Sequence, residues 1–149
     1  MTCENCEHLK NEVWPILYEN DSWRAILYGG SQEYLGKSIL TCKQHVPTLG
    51  KLSEAQWNDL REAIAWYEGR VTEAFAPTHY NWQCLMNNAA GRHEQTHVHW
   101  HITPRYEETV EFDGDVFIDS RWPQSSQEVS PKTLSLKKLQ QIADVIIDG

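Results

Sequence analysis

The sequence predicts a single α+β domain in which strands and helices share one core, and three stretches support this prediction. Residues 97–105, with the sequence HVHWHITPR, alternate imidazole with apolar side chains, as a half-buried strand does. Residues 53–75 and 133–148 instead repeat apolar side chains at helical spacing. The chain has 149 residues and contains no repeat or linker that marks a second domain. We therefore expect one domain over residues 1–149.

Composition and charge exclude several classes of protein. Hydrophobic residues make up 40% of the chain and charged residues 23%, which is typical of a soluble globular protein rather than a disordered one. No apolar run approaches the ~20 residues that a membrane helix needs, and the N-terminus lacks the pattern of a signal peptide, so we expect a cytoplasmic protein without a membrane partner. The net charge of −8 disfavours nonspecific nucleic-acid binding. A small anionic substrate would then require local positive charge.

Four short segments precede the long helix. In order, they are a turn at residues 3–9, a short helix at residues 12–17, and strands at residues 23–28 and 37–43. Turn residues Gly29 and Gly30 close the first strand, and the second strand delivers His45 at its end.

The long helix begins at Ser53, which forms a predicted capping box with Gln56 three residues later. Apolar side chains follow at helical spacing until the helix ends near Phe75, before Pro77. They are Trp57, Leu60, Ile64, Val71 and Phe75. We expect this face to pack in the core rather than to contact a cofactor.

The second half of the chain places a polar loop between two strands. Residues 80–86 predict a strand, residues 87–92 a loop, and the histidine strand completes a hairpin-like pair. Loop amides and asparagine side chains are suited to hold a phosphate or a ribose. Arg92 and Arg105 flank the histidine strand and predict local positive charge. Residues 107–131 predict either a further strand or a loop that covers the site.

The three histidines of the strand, His97, His99 and His101, are predicted to share one face, roughly 6.5 to 7 Å apart. Two chemistries fit this row. Two imidazoles can converge on one zinc ion, or one imidazole can attack a phosphorus atom while its neighbour handles protons. A solvated strand without a function is the third interpretation, which three imidazoles beside an apolar face disfavour. Pro104 is predicted to end the strand.

The chain has four cysteines, Cys3, Cys6, Cys42 and Cys84, and a reducing compartment disfavours disulfides between them. The Cys3–Cys6 pair has the spacing of half a metal site, whereas a redox pair is expected at a strand-to-helix junction. Cys42 and Cys84 lie in apolar runs and are predicted to be core residues. These residues alone leave open which histidines complete a set of four ligands.

The stretch HVHWHIT resembles the HφHφHφφ signature of the histidine-triad family of nucleotidyl hydrolases and transferases. The CxxC opening, the strand that ends in KQH at residues 43–45, the loop at residues 87–91 and the PRY at residues 104–106 resemble its bacterial, zinc-bearing members. The resemblance covers residues 3–106. It implies a HIT-like fold with an antiparallel sheet of about five strands, one long helix packed on it, a C-terminal helix and a homodimer.

The resemblance also implies the roles of individual residues. His99 would be the nucleophile that attacks the α-phosphorus of a dinucleoside polyphosphate or a nucleoside phosphoramidate, and water would hydrolyse the nucleotidyl-histidine intermediate. His101 would contact the phosphate and, when protonated, stabilise developing charge. The implied ligands of a structural zinc ion are Cys3, Cys6, His45 and His97. The implied nucleotide contacts are Asn87, with Asn88 as the near alternative, Gly91, Gln95 and Thr96. No organic cofactor and no magnesium at the reacting phosphate are expected.

One position departs from the family pattern. The family usually places Gln followed by Ser or Thr before the first triad histidine, where this chain has His93 and Glu94. A carboxylate beside a phosphate would repel it. Three functional classes therefore stay open: a nucleotidyl hydrolase that acts through His99, a hydrolase in which zinc activates water, and a non-catalytic purine-nucleotide-binding module.

Overall fold

The computed structural model describes residues 2–149, which form a five-stranded antiparallel sheet, a two-stranded hairpin, four α-helices and one 3₁₀ turn at Leu49–Lys51. The helices are α1 (Glu4–Lys10), α2 (Glu54–Phe75), α3 (Asn87–Gly91) and α4 (Leu136–Asp148). The strands are β1 (Ile16–Glu19), β2 (Trp23–Leu27), β3 (Ser38–Cys42), β4 (His79–Gln83), β5 (His99–Arg105), β6 (Val110–Phe112) and β7 (Asp115–Phe117). The predicted α+β fold is confirmed. Within residues 2–149, every helix is too short or too polar to cross a membrane.

The histidine strand β5 lies inside the sheet, whose order is β1-β2-β3-β5-β4. Ile39 of β3 and Gln83 of β4 are both opposite His101. Because opposite residues of antiparallel strands share a face, the front face carries His99 and His101 together with these neighbours. The back face carries Val98 and Ile102, and the predicted alternation is confirmed.

The long helix α2 and the C-terminal helix α4 complete the core. Ser53 accepts a hydrogen bond from the Gln56 N–H and Gln56 returns one to the Ser53 N–H, so the predicted capping box is present. The buried apolar residues of α2 are Leu60, Ala63, Tyr67, Val71 and Phe75. Each fully buried side chain of this size contributes about 1.5 to 3 kcal/mol. Trp57 differs from the prediction, because it remains 45% exposed while Gln56 takes the inward position and accepts the Trp23 indole N–H.

The N-terminal region differs from its predicted local structure. Residues 4–10 form helix α1 instead of a turn, and the Cys3 sulfur caps it by accepting the Cys6 N–H. The predicted helix at residues 12–17 is replaced by the start of β1, because the Pro15 carbonyl and Ile16 pair with β2. Sheet pairing therefore overrides the local helical pattern there.

The boundaries around β5 also differ. His97 precedes the strand, and Pro104 lies within it rather than ending it. The nitrogen of Pro104 faces the side of β3, but β3 begins only at Ser38, opposite Ile102, so Pro104 has no partner residue in β3 and no ladder donor is lost. The predicted loop at residues 87–92 contains the short helix α3.

Residues 107–131 contain both predicted alternatives, the β6–β7 hairpin followed by a segment without regular structure. We call residues 119–130 the strap, because hydrogen bonds near both of its ends hold it against the rest of the domain. Asp119 pairs with Arg105, and the Gln127 backbone exchanges two hydrogen bonds with the Tyr34 hydroxyl. The C-terminal helix follows; it begins at Leu136, capped by Ser135, three residues after the predicted start of the helical pattern at residue 133.

Candidate functional site

The four predicted metal ligands meet beside the start of β5. Cys3 and Cys6 come from α1, His45 follows β3, and His97 precedes β5. One ligand atom of each residue lies within 4.8 Å of all the others. The fold thus brings together residues separated by up to 94 positions in the chain.

The distances in this cluster match a tetrahedral metal site. The Nδ1 atom of His97 is 3.4 Å from the Cys3 sulfur, 3.5 Å from the Cys6 sulfur and 3.2 Å from the Nδ1 atom of His45. Tetrahedral zinc, with bonds of about 2.3 Å to sulfur and about 2.05 Å to nitrogen, separates sulfur from nitrogen by about 3.6 Å and nitrogen from nitrogen by about 3.3 Å. The Nε2 atom of His97 donates to the Cys42 carbonyl over 2.6 Å, which leaves the Nδ1 lone pair for a metal.

The acid–base properties of the cluster also suit a cation. Burial, followed by the hydrogen bond and charge of Cys3, raises the pKa of the Cys6 thiol to about 11. Burial lowers the pKa of His97 below its ordinary value, so its imidazole stays neutral near pH 7. The Cys6 thiolate is therefore disfavoured unless a metal ion supplies positive charge, while the neutral imidazole of His97 is ready to ligate one.

His99 follows the cluster on the front face and has one ring nitrogen committed. Its Nδ1–H donates to the His97 carbonyl over 2.7 Å, with the Asn5 side-chain nitrogen a further 3.4 Å contact. In a neutral imidazole this bond places the proton on Nδ1 and leaves a lone pair on Nε2. His99 also lines a cavity on the front face. The residue is therefore held in the tautomer that a nucleophile requires.

His101 lies beside His99, with ring centroids 4.9 Å apart. Burial, followed by the charges of His99 and Lys37, lowers the pKa of His101 to about 4, although a backbone hydrogen bond to Leu85 opposes this. His101 is thus neutral near pH 7 in the free protein, whereas the sequence suggested a protonated imidazole. A neutral His101 is able to accept a proton.

A cavity of about 310 Å³, which we call the main cavity, opens in front of the two histidines. Its apolar wall includes Trp14 and Tyr28, whose rings meet edge to face at 5.2 Å. A Cβ atom at Gly29 would overlap the indole of Trp14, and one at Gly30 would overlap the Tyr28 hydroxyl. The two glycines predicted as a turn therefore also allow this aromatic wall to form.

Only two of the predicted nucleotide contacts line the main cavity. Asn88 and Gln95 line the main cavity. Within residues 2–149 the lining does not include Asn87 or Gly91, which begin and end α3, or Thr96, whose hydroxyl donates to the Pro47 carbonyl. Successive residues of a helix point about 100° apart, which explains why only one of the adjacent asparagines faces the cavity.

The two predicted arginines have different environments. Arg105 is 2% exposed and donates to the Asp119 carboxylate over 2.7 and 3.1 Å, so it supports the strap and does not supply an open cation. Arg92 lines the main cavity and forms two hydrogen bonds with Glu94. A hydrogen bond from Arg92 lowers the pKa of Glu94. The carboxylate that departs from the family pattern is therefore paired with a cation.

Four residues at this site were missed from the sequence: Asn5, Trp14, Tyr28 and Lys37. Asn5 lies between the two cysteines of the CxxC pair, so the metal motif itself carries it to His99. The Gly29–Gly30 pair was the sequence signal for Trp14 and Tyr28, because a missing Cβ often marks a close approach. Lys37 has no local signal, since only the pairing of β3 with β5 brings it near His101.

No family model and no curated protein matches this sequence, but several solved structures share its fold. A hypothetical histidine triad nucleotide-binding protein from Sulfolobus tokodaii has a TM-score of 0.70 and 19% identity, covering 98% of this chain and 90% of that one. A Zn-bound histidine triad family protein from Mycobacterium smegmatis has a TM-score of 0.63 and 14% identity, with coverage of 99% and 94%. A Plasmodium falciparum diadenosine triphosphate hydrolase has a TM-score of 0.62 and 14% identity, with coverage of 89% and 74%. The chain therefore has the histidine-triad fold, and the resemblance drawn from its motif is confirmed at the level of the fold.

Proposed function

We propose that this protein is a histidine-triad nucleotidyl hydrolase or transferase that cleaves at the α-phosphate of a dinucleoside polyphosphate or a nucleoside phosphoramidate. The observation that carries the proposal is the hydrogen bond from Nδ1 of His99 to the His97 carbonyl, which leaves Nε2 as a free lone pair at the main cavity. The fold shared with a diadenosine triphosphate hydrolase and with a nucleotide-binding protein supports it.

In the proposed reaction, the Nε2 lone pair of His99 forms a bond to the α-phosphorus while the bond from phosphorus to the leaving group breaks and its electron pair stays on the leaving atom. A leaving phosphate oxygen needs no proton, whereas a leaving nitrogen takes one from solvent. The imidazole becomes cationic and keeps its Nδ1 proton, which still donates to the His97 carbonyl. Water then attacks the same phosphorus, the P–N bond breaks, and a nucleoside monophosphate leaves. His101, neutral at rest, accepts the proton of that water and releases it to solvent.

The main cavity accounts for binding of the nucleotide. We propose that the base packs on the wall formed by Trp14 and Tyr28, and that Asn88 and Gln95 contact the ribose or the α-phosphate. Contacts from Asn87, Gly91 and Thr96 stay predictions from the family resemblance.

We also propose that Cys3, Cys6, His45 and His97 hold a zinc ion with a structural role. The protein supplies all four ligands, which is the arrangement of closed structural sites, and leaves no open position for water. The ion would fix α1, and with it Asn5, against the start of β5. The fold shared with a Zn-bound protein supports this assignment.

Oligomerisation stays a proposal as well. We propose the homodimer that the family resemblance implies, formed through the long helix, on which Trp57 is 45% exposed. Light scattering after size-exclusion chromatography tests it, and the mass of one chain would contradict it.

Intact-protein mass spectrometry tests the enzyme. Protein is mixed briefly with diadenosine triphosphate or adenosine 5′-phosphoramidate and quenched in alkali, because phosphohistidine bonds hydrolyse in acid. We expect a mass gain of one nucleotide that is absent from His99→Asn and longer-lived in His101→Asn. Turnover without an adduct in any variant would instead favour water activated by zinc, and neither adduct nor turnover would favour a binding module.

A further inference from the structure

A second cavity, of about 160 Å³, lies between the sheet and the strap. Lys37, Gln83 and His101 line it from the sheet, and Ser126 and Glu128 line it from the strap. His101 also lines the main cavity, so the two cavities meet at this histidine. A ligand whose nucleoside fills the main cavity therefore has the second cavity on the far side of His101.

The pairing of β3 with β5 explains why Lys37 faces this cavity. Ser38 is opposite Ile102 and Ile39 is opposite His101, so Lys37, two residues from Ile39, continues the face that carries His101. Its ammonium group lies 4.9 Å from the centre of the Tyr28 ring. Within residues 2–149 Lys37 forms no ion pair.

The carboxylates near Lys37 do not neutralise it by contact. Glu33 is buried and accepts backbone hydrogen bonds from Val129 and Ser130 of the strap. Glu128 is exposed to solvent. Burial lowers the pKa of Lys37, while the charges of Glu128 and Glu33 raise it, so the ammonium is partly desolvated in the field of two distant acids. A partly buried cation without a contacting anion is costly, and an anionic ligand would relieve that cost.

We propose that Lys37 binds the phosphate of the leaving group, and that the substrate is therefore a nucleotide anhydride of the dinucleoside polyphosphate class. This inference rests on the proposed attack of His99 on the α-phosphorus. The α-phosphate would lie at His99 and the β-phosphate would extend past His101 toward Lys37, with the Gln83 amide and the Ser126 hydroxyl as further polar partners.

The chemistry of the two leaving groups agrees with this assignment. When an anhydride is cleaved, the bridging P–O bond breaks and its electron pair stays on the leaving phosphate, an anion that needs no proton and that Lys37 would stabilise. When a phosphoramidate is cleaved, the leaving nitrogen must gain a proton. His101 is neutral near pH 7 in the free protein and has no such proton to give. The groups around the second cavity thus favour the anhydride.

The test compares kcat/KM for diadenosine triphosphate and for adenosine 5′-phosphoramidate in four proteins: the wild type, Lys37→Met, Lys37→Arg and Glu128→Gln. Loss of a charged hydrogen bond predicts a decrease of about 10- to 100-fold for the triphosphate in Lys37→Met, with the phosphoramidate within about threefold of wild type. Lys37→Arg restores most of the triphosphate activity. Glu128→Gln removes a negative charge that repels the phosphate. We expect it to raise kcat/KM for the triphosphate about two- to fivefold.

Two results of this comparison would overturn the proposal. One is an equal loss on both substrates in Lys37→Met, which would mean that Lys37 supports the fold or the α-phosphate. The other is a Glu128→Gln variant that loses phosphoramidate turnover, which would mean that the cavity receives an amine.

A binding measurement separates this proposal from the proposed function. In a His99→Asn background, titration calorimetry compares diadenosine triphosphate with AMP, with and without Lys37→Met. We expect the triphosphate to bind more tightly than AMP. Lys37→Met should weaken binding of the triphosphate at least about tenfold and change the affinity for AMP less than twofold. A triphosphate that binds no better than AMP overturns the assignment of Lys37, whether or not the wild type turns over. If the wild type shows no turnover while this affinity pattern is present, the proposed role of His99 as the nucleophile is refuted and the assignment of Lys37 is not.

Discussion

Strand β5 is anchored at its two ends by different chemistry. At its start, His97 uses both ring nitrogens, one toward the Cys2His2 cluster and the other on the Cys42 carbonyl. At its end, Arg105 is paired with Asp119 of the strap, and both side chains are almost fully buried. The first anchor has the four ligands for the metal ion that we propose, whereas the second consists of side chains alone. Between them, the hydrogen bonds of the His99 side chain within residues 2–149 are all at Nδ1, which leaves Nε2 free there.

The histidines of this alternating stretch therefore have different environments. Residues of the same type differ in the number of polar partners that the surrounding chain supplies. A histidine with both nitrogens engaged supports structure, and one with a single nitrogen engaged is available for chemistry. Four predictions, in order of decreasing effect, test this difference between the histidines.

Replacement of His99 by Asn tests the middle of the strand. We expect turnover to fall by more than about 10³-fold, equivalent to about 4 kcal/mol in the barrier, because no other group supplies the attacking lone pair. The melting temperature and the zinc content should stay at the wild-type values. Steady-state kinetics and metal analysis measure these quantities. His93→Asn is the matched control, since His93 is exposed and asparagine tolerates its positive φ of 58°. Full activity in His99→Asn would refute the nucleophile.

Replacement of Arg105 by Met tests the anchor that lacks a metal. The change leaves the Asp119 carboxylate buried without its cation, and we expect a loss of about 3 kcal/mol in the free energy of unfolding. Urea denaturation followed by tryptophan fluorescence measures the loss. Arg121→Met, at an arginine of the strap whose side chain forms one hydrogen bond within residues 2–149, to the Ser125 carbonyl, should stay within about 0.5 kcal/mol. Equal effects of the two variants would contradict a structural role for the Arg105 pair.

Replacement of Cys3 by Ser tests the metal-dependent anchor. Loss of one thiolate should weaken zinc binding by about 100-fold or more and lower thermal stability. Treatment of the wild type with a chelator should lower its thermal stability to a similar value. Zinc titration and thermal unfolding measure the two effects. Cys84→Ser, which lies outside the cluster, should retain one zinc per chain. A wild type whose stability does not respond to chelation would contradict a structural metal.

Acidification provides the smallest effect and concerns His101. Its pKa is about 4 in the folded protein and about 6.5 when exposed, so between these values the unfolded chain binds the extra proton. His101 therefore leaves stability unchanged above pH 6.5 and destabilises the fold progressively as the pH falls from 6.5 to 4. We expect the unfolding free energy of His101→Asn to fall less steeply than that of the wild type over this window. Denaturation of both proteins, each loaded with zinc, at several pH values measures this difference. Equal slopes of the unfolding free energy against pH would contradict the burial of His101.

Local patterns in the sequence were sufficient for the elements whose determinants are close in the chain. The alternation of Val98, Trp100 and Ile102 and the capping box of Ser53 and Gln56 depend on spacings of two and three residues, and both are present in the structure. Where strand pairing competed with a local pattern, as at Ile16, the local prediction was wrong. Trp57 was misplaced because the buried position is taken by Gln56, whose side chain accepts the Ser53 N–H and donates to the Gln44 side chain.

The chemical groups of this protein could be predicted from its sequence: three alternating imidazoles, a pair of cysteines at metal-ligand spacing and the resemblance to a fold that presents them together. The surroundings of those groups depend on the tertiary structure. It buries Arg105 against Asp119, turns Asn88 rather than Asn87 to the cavity, and brings Lys37 and the strap to opposite sides of a space beside His101. The physical reason is that side-chain periodicity is encoded over a few residues, whereas these contacts join positions tens of residues apart and exist only after the strands have paired.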